Sequence, residues 1–223
     1  MLHRRAWRDS SLTVELLTER FGRLGAVARG ARAPRSPLFG LVEPFRPLRV
    51  GFSRRGEMAT LTAIEPEAAD AGLTGRALWC GLYANELLLR LTPRDDPEPA
   101  LFGAYGDLLP ALREPAAQAA GLRRFELRLL EALGVAPLLT ECVDSGDPVL
   151  PDRCYRVDPV AGPSPLAGGQ RGFSGRLLLA LAAGEPAPPG EDGDALRLMR
   201  QLIDHQLGGR KLQTPALFRE NRE

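Results

Sequence analysis

Arg23, Arg29, Arg32 and Arg35 fall in a stretch with no carboxylate between Arg23 and Ser36, and Phe21 lies just upstream. Arg54 and Arg55 form a second basic pair before Gly56. Guanidinium groups bind phosphate bidentately and stack on bases, so this pattern suits a polyanion backbone. The competing reading is a solvated basic face. It is weakened by the local balance, because residues 1–55 hold twelve arginines against four carboxylates, a net +8 in a chain of total +1. The remainder therefore carries −7, and such asymmetry points to an interaction surface. Trp7, Phe21 and Phe52 are candidate stacking rings. Phe52 reads as core, Trp7 suits either role, and Phe21 at a turn tip suits stacking.

Residue types that would support bond chemistry are absent or isolated. His3 and His205 are far apart and have no carboxylate or cysteine at ligand spacing. Asp95, Asp96 and Glu98 sit among Pro93, Pro97 and Pro99, which reads as a solvated acidic turn rather than a metal site. Gly168-Gly169-Gln170-Arg171-Gly172 looks like a phosphate loop but has no strand before it. The sequence therefore predicts a non-enzyme without a cofactor. Three cysteines (Cys80, Cys142, Cys154) at irregular spacing predict reduced thiols in a cytoplasmic protein. No 18-residue apolar run predicts a membrane span.

Hydrophobic periodicity indicates what positions the arginines. Residues 2–7, 11–18, 23–29, 48–52 and 58–65 read as five short strands. Leu24, Ala26 and Ala28 share one face of the third, and Arg23, Gly25, Val27 and Arg29 share the other. Ala59, Leu61 and Ala63 are expected to point inward on the fifth. Five such strands predict a small closed barrel of the oligonucleotide/oligosaccharide-binding (OB) kind.

After Glu65 the period changes from two to three and four. Helices are expected at about 75–91, at 101–109 with Pro110 ending or kinking it, and at 116–133 with Gly134 as its cap. Residues 141–172 read as an irregular insert. Ser174 looks like the N-cap of a helix over 175–183, and 194–207 forms the last helix. The fold class is thus α+β and multidomain: an OB-fold barrel over 1–70, then an α-helical domain over 71–223 with the insert inside it. On the third helix Arg123, Arg124 and Arg128 flank Leu127, which reads either as a solvated stripe or as a docking groove for an acidic tail with an aromatic end.

Several runs, in order, resemble the RecO family of bacterial recombination mediators. They are Thr18-x-x-x-Gly22-Arg23-Leu24-x-x-Val27-Ala28-Arg29-Gly30-Ala31-Arg32, Glu43-Pro44-Phe45, Gly56-Glu57 with Leu61-Thr62, Gly81-Leu82-Tyr83-x-Asn85-Glu86-Leu87, and Phe125-Glu126-Leu127-x-Leu129-Leu130 before Gly134. The resemblance implies an N-terminal OB-fold, binding of single- and double-stranded DNA, and annealing of complementary strands without bond chemistry. It also implies two protein partners, RecR and the single-stranded-DNA-binding protein with its acidic C-terminal tail, and a place at the nucleoid. An OB-fold RNA- or tRNA-binding module with a helical partner-binding domain is the alternative.

The chain departs from the family pattern in two places. Many relatives carry a four-cysteine zinc site in the insert, whereas here Cys142 is followed by Ser145, and Gly172 and Gly175 stand where the second pair is expected. One cysteine of four cannot close a tetrahedral zinc shell, so no metal is expected. Near the end, Lys211-Leu212 is followed by Gln213, Thr214, Pro215 and Ala216 in place of more charged residues.

Overall fold

The computed structural model describes residues 1–67, 72–167 and 170–214. Gly168-Gly169, part of the expected inter-domain boundary and the ending from Pro215 onward lie outside the described residues. Two compact units emerge: Met1–Gly103 with Thr214, and Ala104–Gln213.

The first unit is built on strands β1 (His3–Trp7), β2 (Ser11–Thr18), β3 (Gly22–Ala28), β4 (Leu48–Arg54) and β5 (Ala59–Pro66). They pair in the order β1-β2-β3-β5-β4, with β3 and β5 parallel and the other pairs antiparallel. This is the OB strand order, but the expected closure is not made: β1 and β4 stay as the sheet's two edges. The alternation of β2 and β3 holds. Leu12, Val14, Leu16, Leu24, Ala26 and Ala28 bury one face.

The inward set on β5 differs from expectation. Gly51 pairs with Ala63 and Phe52 with Leu61, so Thr62 is an extra residue opposite β4. A bulge of this kind shifts the alternation by one. Leu61 and Ile64 are therefore buried and Ala63 is exposed.

Helix α1 (Gly75–Leu91) belongs to this unit and is seated by motif residues. A Cβ on Gly81 would lie 2.8 Å from the Phe45 ring and 2.6 Å from Leu73, so only glycine allows this approach. Asn85 Nδ2 donates to the Leu2 carbonyl at 2.7 Å. The Glu86 carboxylate accepts from the Thr214 backbone N–H and hydroxyl at 2.9 and 2.8 Å.

Helix α2 (Pro99–Arg113) continues through Pro110 rather than stopping there. Leu108 and Leu112 lie buried on either side of the proline, and their burial offsets its missing donor. Helices α3 (Gln118–Ala132), α4 (Gly175–Ala182) and α5 (Asp192–Leu207) complete the second unit. Ser174 caps α4 by accepting from Leu177 N at 3.0 Å. Gly134, at φ +68°, closes the end of α3.

The insert is not irregular. Strands β6 (Cys154–Asp158), β7 (Gly162–Pro165) and β8 (Phe173–Ser174) form a sheet in the order β7-β6-β8. Its Tyr155, Val157 and Phe173 join Leu130, Leu177 and Leu198 in the helical core.

Candidate nucleic-acid interface

The sequence-predicted arginines fall into two groups. Arg23 is held within the sheet. Its Nη1 donates to Glu15 at 3.1 Å and its Nη2 to the Thr92 carbonyl at 2.9 Å, leaving the side chain 15% exposed. Glu15 also accepts from Arg94, whose guanidinium lies across Gly25. A Cβ at position 25 would stand 2.8 Å from Arg94 Cζ, so glycine makes room for a cation from another segment. That hydrogen bond from Arg94 to Glu15 raises the arginine's pKa above its usual value.

Arg54 is likewise engaged. It forks onto the two Asp95 oxygens at 2.6 and 2.7 Å and donates to the Gly56 and Glu57 carbonyls at 3.2 Å. The bond from Arg54 holds the Asp95 carboxyl below the usual carboxylate range. Residues 92–96 thus strap the outer face of the sheet, and Asp95 N donates to the Arg23 carbonyl at 3.0 Å. Gly22, at φ +62°, admits this strap, since any Cβ there would run into the Asp96 carbonyl. The acidic turn is therefore a tether rather than a freely solvated loop. No sequence periodicity links Arg94 and Asp95 to strands 41 to 79 residues upstream.

Arg29, Arg32, Arg35 and Arg55 are exposed, and none is paired with a carboxylate among the described residues. Arg32 Nη1 reaches only the Arg8 carbonyl, at 3.3 Å. Beside Arg29 is a cleft of about 540 Å³ lined by Trp7, Arg8, Ser10, Ser11, Val27, Gly30 and Thr60 as well. Trp7 is 47% exposed.

Phe21 is 49% exposed at the opposite end of β2 and β3, its turn held by Thr18 Oγ1. It leans edge-on against Phe52 with centroids 5.1 Å apart. Phe52 is half-buried against the sheet core. The end of the sheet near Trp7 therefore brings an aromatic ring together with a cleft and several cations unpaired by carboxylates among the described residues, whereas beside Phe21 the exposed cation of that kind is Arg20.

In the helical unit Arg123 and Leu127 are neighbours as expected, but they point inward. Arg123 Nη2 donates to Glu126 Oε1 at 2.6 Å, Glu126 is fully buried, and Leu127 joins the core. The predicted groove would need both residues at the surface, and burial of that helix face removes them. Arg124 and Arg128 are exposed. Arg124 donates to the Gly184 carbonyl at 3.0 Å, and Arg128 pairs with Glu131 at 2.8 Å.

A four-cysteine zinc site does not fit the insert. A Cβ on Gly172 would come within 2.5 Å of Leu166 Cδ1 and the Tyr155 carbonyl, and one on Gly175 would run into the Leu150 carbonyl. Packed backbone occupies the space that cysteine side chains would need. Cys142 is buried, which pushes its thiol pKa up, and Ser145 donates instead to Asp147 at 2.7 Å.

Strand order, exposed arginines and the cleft define a two-part protein carrying an OB-type sheet with a basic end. Residues 1–69 match the family model for the recombination protein O N terminal, and residues 73–215 match the model for its C terminal. The chain belongs to the recombination protein O family. It is 48% identical over 225 residues to a DNA repair protein RecO from Alkalilimnicola ehrlichii, covering 99% of this chain and 89% of that protein. A protein of the same name from Methylococcus capsulatus is 42% identical over 221 residues, covering 99% and 91%. One from Halorhodospira halophila is 42% identical over 228 residues, covering 100% and 96%.

Proposed function

We propose that this chain is a recombination mediator that acts without bond chemistry. Membership of the family supports a role in DNA repair and recombination. In the finer reading, the chain binds single- and double-stranded DNA and anneals complementary strands. With RecR it loads recombinase onto DNA coated by the single-stranded-DNA-binding protein. The observation that carries the DNA reading is the set Arg29, Arg32, Arg35 and Arg55, exposed and without carboxylate partners among the described residues. Unneutralised arginines at the end of a sheet can displace the counterions of a phosphate chain, which supplies most of the affinity in such complexes.

For the acidic tail of the single-stranded-DNA-binding protein, Arg124 and Arg128 are the exposed cations of α3. No helix among the described residues is long and apolar enough to cross a membrane; it is the proposed work on DNA that would place the chain in the cytoplasm at the nucleoid.

The test is annealing of complementary strands, naked and coated, with and without RecR, beside binding of matched DNA and RNA oligomers. The reading expects annealing without added nucleotide and binding that favours DNA. Preference for RNA with no annealing would instead establish the RNA-binding module.

A further inference from the structure

We infer that Trp7 is a stacking platform for one unpaired base, with Arg29 holding the adjoining phosphate. This rests on the DNA-binding reading and adds to it a preference for single strands at this one cleft. All five residues of β1 are exposed, so Trp7 has no core to enter from its strand. Its ring borders the cleft, where Val27 offers an apolar patch and Ser10, Ser11 and Thr60 offer hydroxyls. The volume, about 540 Å³, lies in the range of clefts that hold small ligands, about 300–1,000 Å³.

The cleft is held in shape by its own loops. Arg8 sits at φ +52° in the β1–β2 turn, a conformation uncommon for a non-glycine residue. Two contacts tie the turn to the β3–β4 loop: Arg32 N donates to the Ser10 carbonyl at 2.8 Å, and Arg32 Nη1 to the Arg8 carbonyl at 3.3 Å. The Arg8 guanidinium stands 5.9 Å from the Trp7 ring centroid, close to the outer limit of a cation–π contact. At that distance it leaves ring surface for a base.

Stacking requires a base free of its complement, whereas a phosphate contact is made equally by single and double strands. The two residues are therefore separable in one experiment. In a Trp79→Phe background Trp7 is the sole tryptophan, and titration with an unstructured oligonucleotide should quench its fluorescence. Trp7→Ala should weaken single-strand binding roughly five- to 150-fold, the ratio matching ~1–3 kcal/mol of base–aromatic stacking. It should leave duplex binding and the salt slope unchanged, and Trp7→Phe should restore most of the loss. Arg29→Ala should weaken both forms of DNA and flatten the slope. Equal loss on single strands and duplex in Trp7→Ala would overturn the proposal, as would binding without quenching. If no DNA of either form binds the parent protein, the DNA reading itself fails, and that outcome is distinct from a defect confined to Trp7.

Discussion

Salt dependence should separate the two groups of arginines. On single strands log K falls with log salt by about 0.7 per phosphate contacted. Arg29 and Arg32 are exposed and unpaired by carboxylates among the described residues, so the double substitution to Ala should flatten the slope by about 1.4. Between about 50 and 200 mM salt that is roughly a sevenfold smaller loss of affinity than the parent suffers. Arg23 should behave differently. Both its terminal nitrogens are engaged, at 3.1 Å by Glu15 and at 2.9 Å by the Thr92 carbonyl. Arg23→Ala should leave the slope alone and lower stability by about 1–3 kcal/mol, since the Thr92 carbonyl loses a charged donor. Glu15 keeps Arg94, which limits the cost. Fluorescence anisotropy of a labelled oligonucleotide across a salt series reads the slopes, and urea unfolding reads the stability. If Arg23→Ala flattens the slope as much as Arg29→Ala does, the ion pair opens to admit phosphate and the division fails.

Arg123→Glu should cost about 3–5 kcal/mol by leaving two carboxylates at a buried site, seen as a lower urea midpoint, whereas Arg124→Glu and Arg128→Glu should fold normally. A maleimide under native conditions should label Cys154 rapidly and Cys80 and Cys142 only on unfolding, as peptide mass mapping would record. Gly175→Ala should destabilise the helical unit by about 1–3 kcal/mol or more, because its methyl meets the Leu150 carbonyl; an unchanged melting profile would refute this. The Asp158 carboxyl accepts the Ala161 and Val160 N–H groups at 2.9 Å, which lowers its pKa. Its contribution is therefore present above the usual carboxylate range and lost as pH falls through the lowered value. Carboxyl NMR titration should find it below the usual aspartate value, and an ordinary value would contradict the contact.

The strands and helices were legible wherever burial followed a single period. β2 alternates cleanly because one face is core, β3 does so except at Gly25 beneath Arg94, and α1 has the predicted bounds. The face of β5 was not legible beyond Leu61, because the bulge at Thr62 depends on pairing with β4. The run Gly162-Pro163-Ser164-Pro165 reads as loop, yet it pairs as β7, the edge of its sheet, where prolines owe no donor to a neighbour. The inward turn of Arg123 was hidden because its counter-charge is Glu126, three residues on, and a charged pair leaves no trace in apolar periodicity. Gly25 did hold a clue to the strap: a strand position without a side chain, between Arg23 and Val27, leaves room for another segment.

Pairing within the first unit determines where its positive charge remains available. Glu43 engages Arg4 at 2.5 Å, Glu15 engages Arg23, Glu67 engages Arg49 at 3.5 Å, and Asp95 engages Arg54. Two of those carboxylates, Glu67 and Asp95, lie beyond residue 55, so the raw +8 of the first 55 residues overstates what a ligand would meet. Among the arginines left without a carboxylate partner, Arg8, Arg29 and Arg32 gather at the β1–β2 turn and the start of the β3–β4 loop. That is the end of the sheet where Trp7 stands exposed. At the other end Phe21 packs edge-on against Phe52, and the nearby cations Arg23 and Arg94 are both tied to Glu15. A phosphate binding Arg23 or Arg94 there must displace a carboxylate, which leaves the exposed Arg20 beside Phe21, whereas one arriving beside Trp7 meets Arg8, Arg29 and Arg32 without displacing any. The acidic residues thus give the sheet a polarity, and a strand of DNA should enter at the Trp7 end.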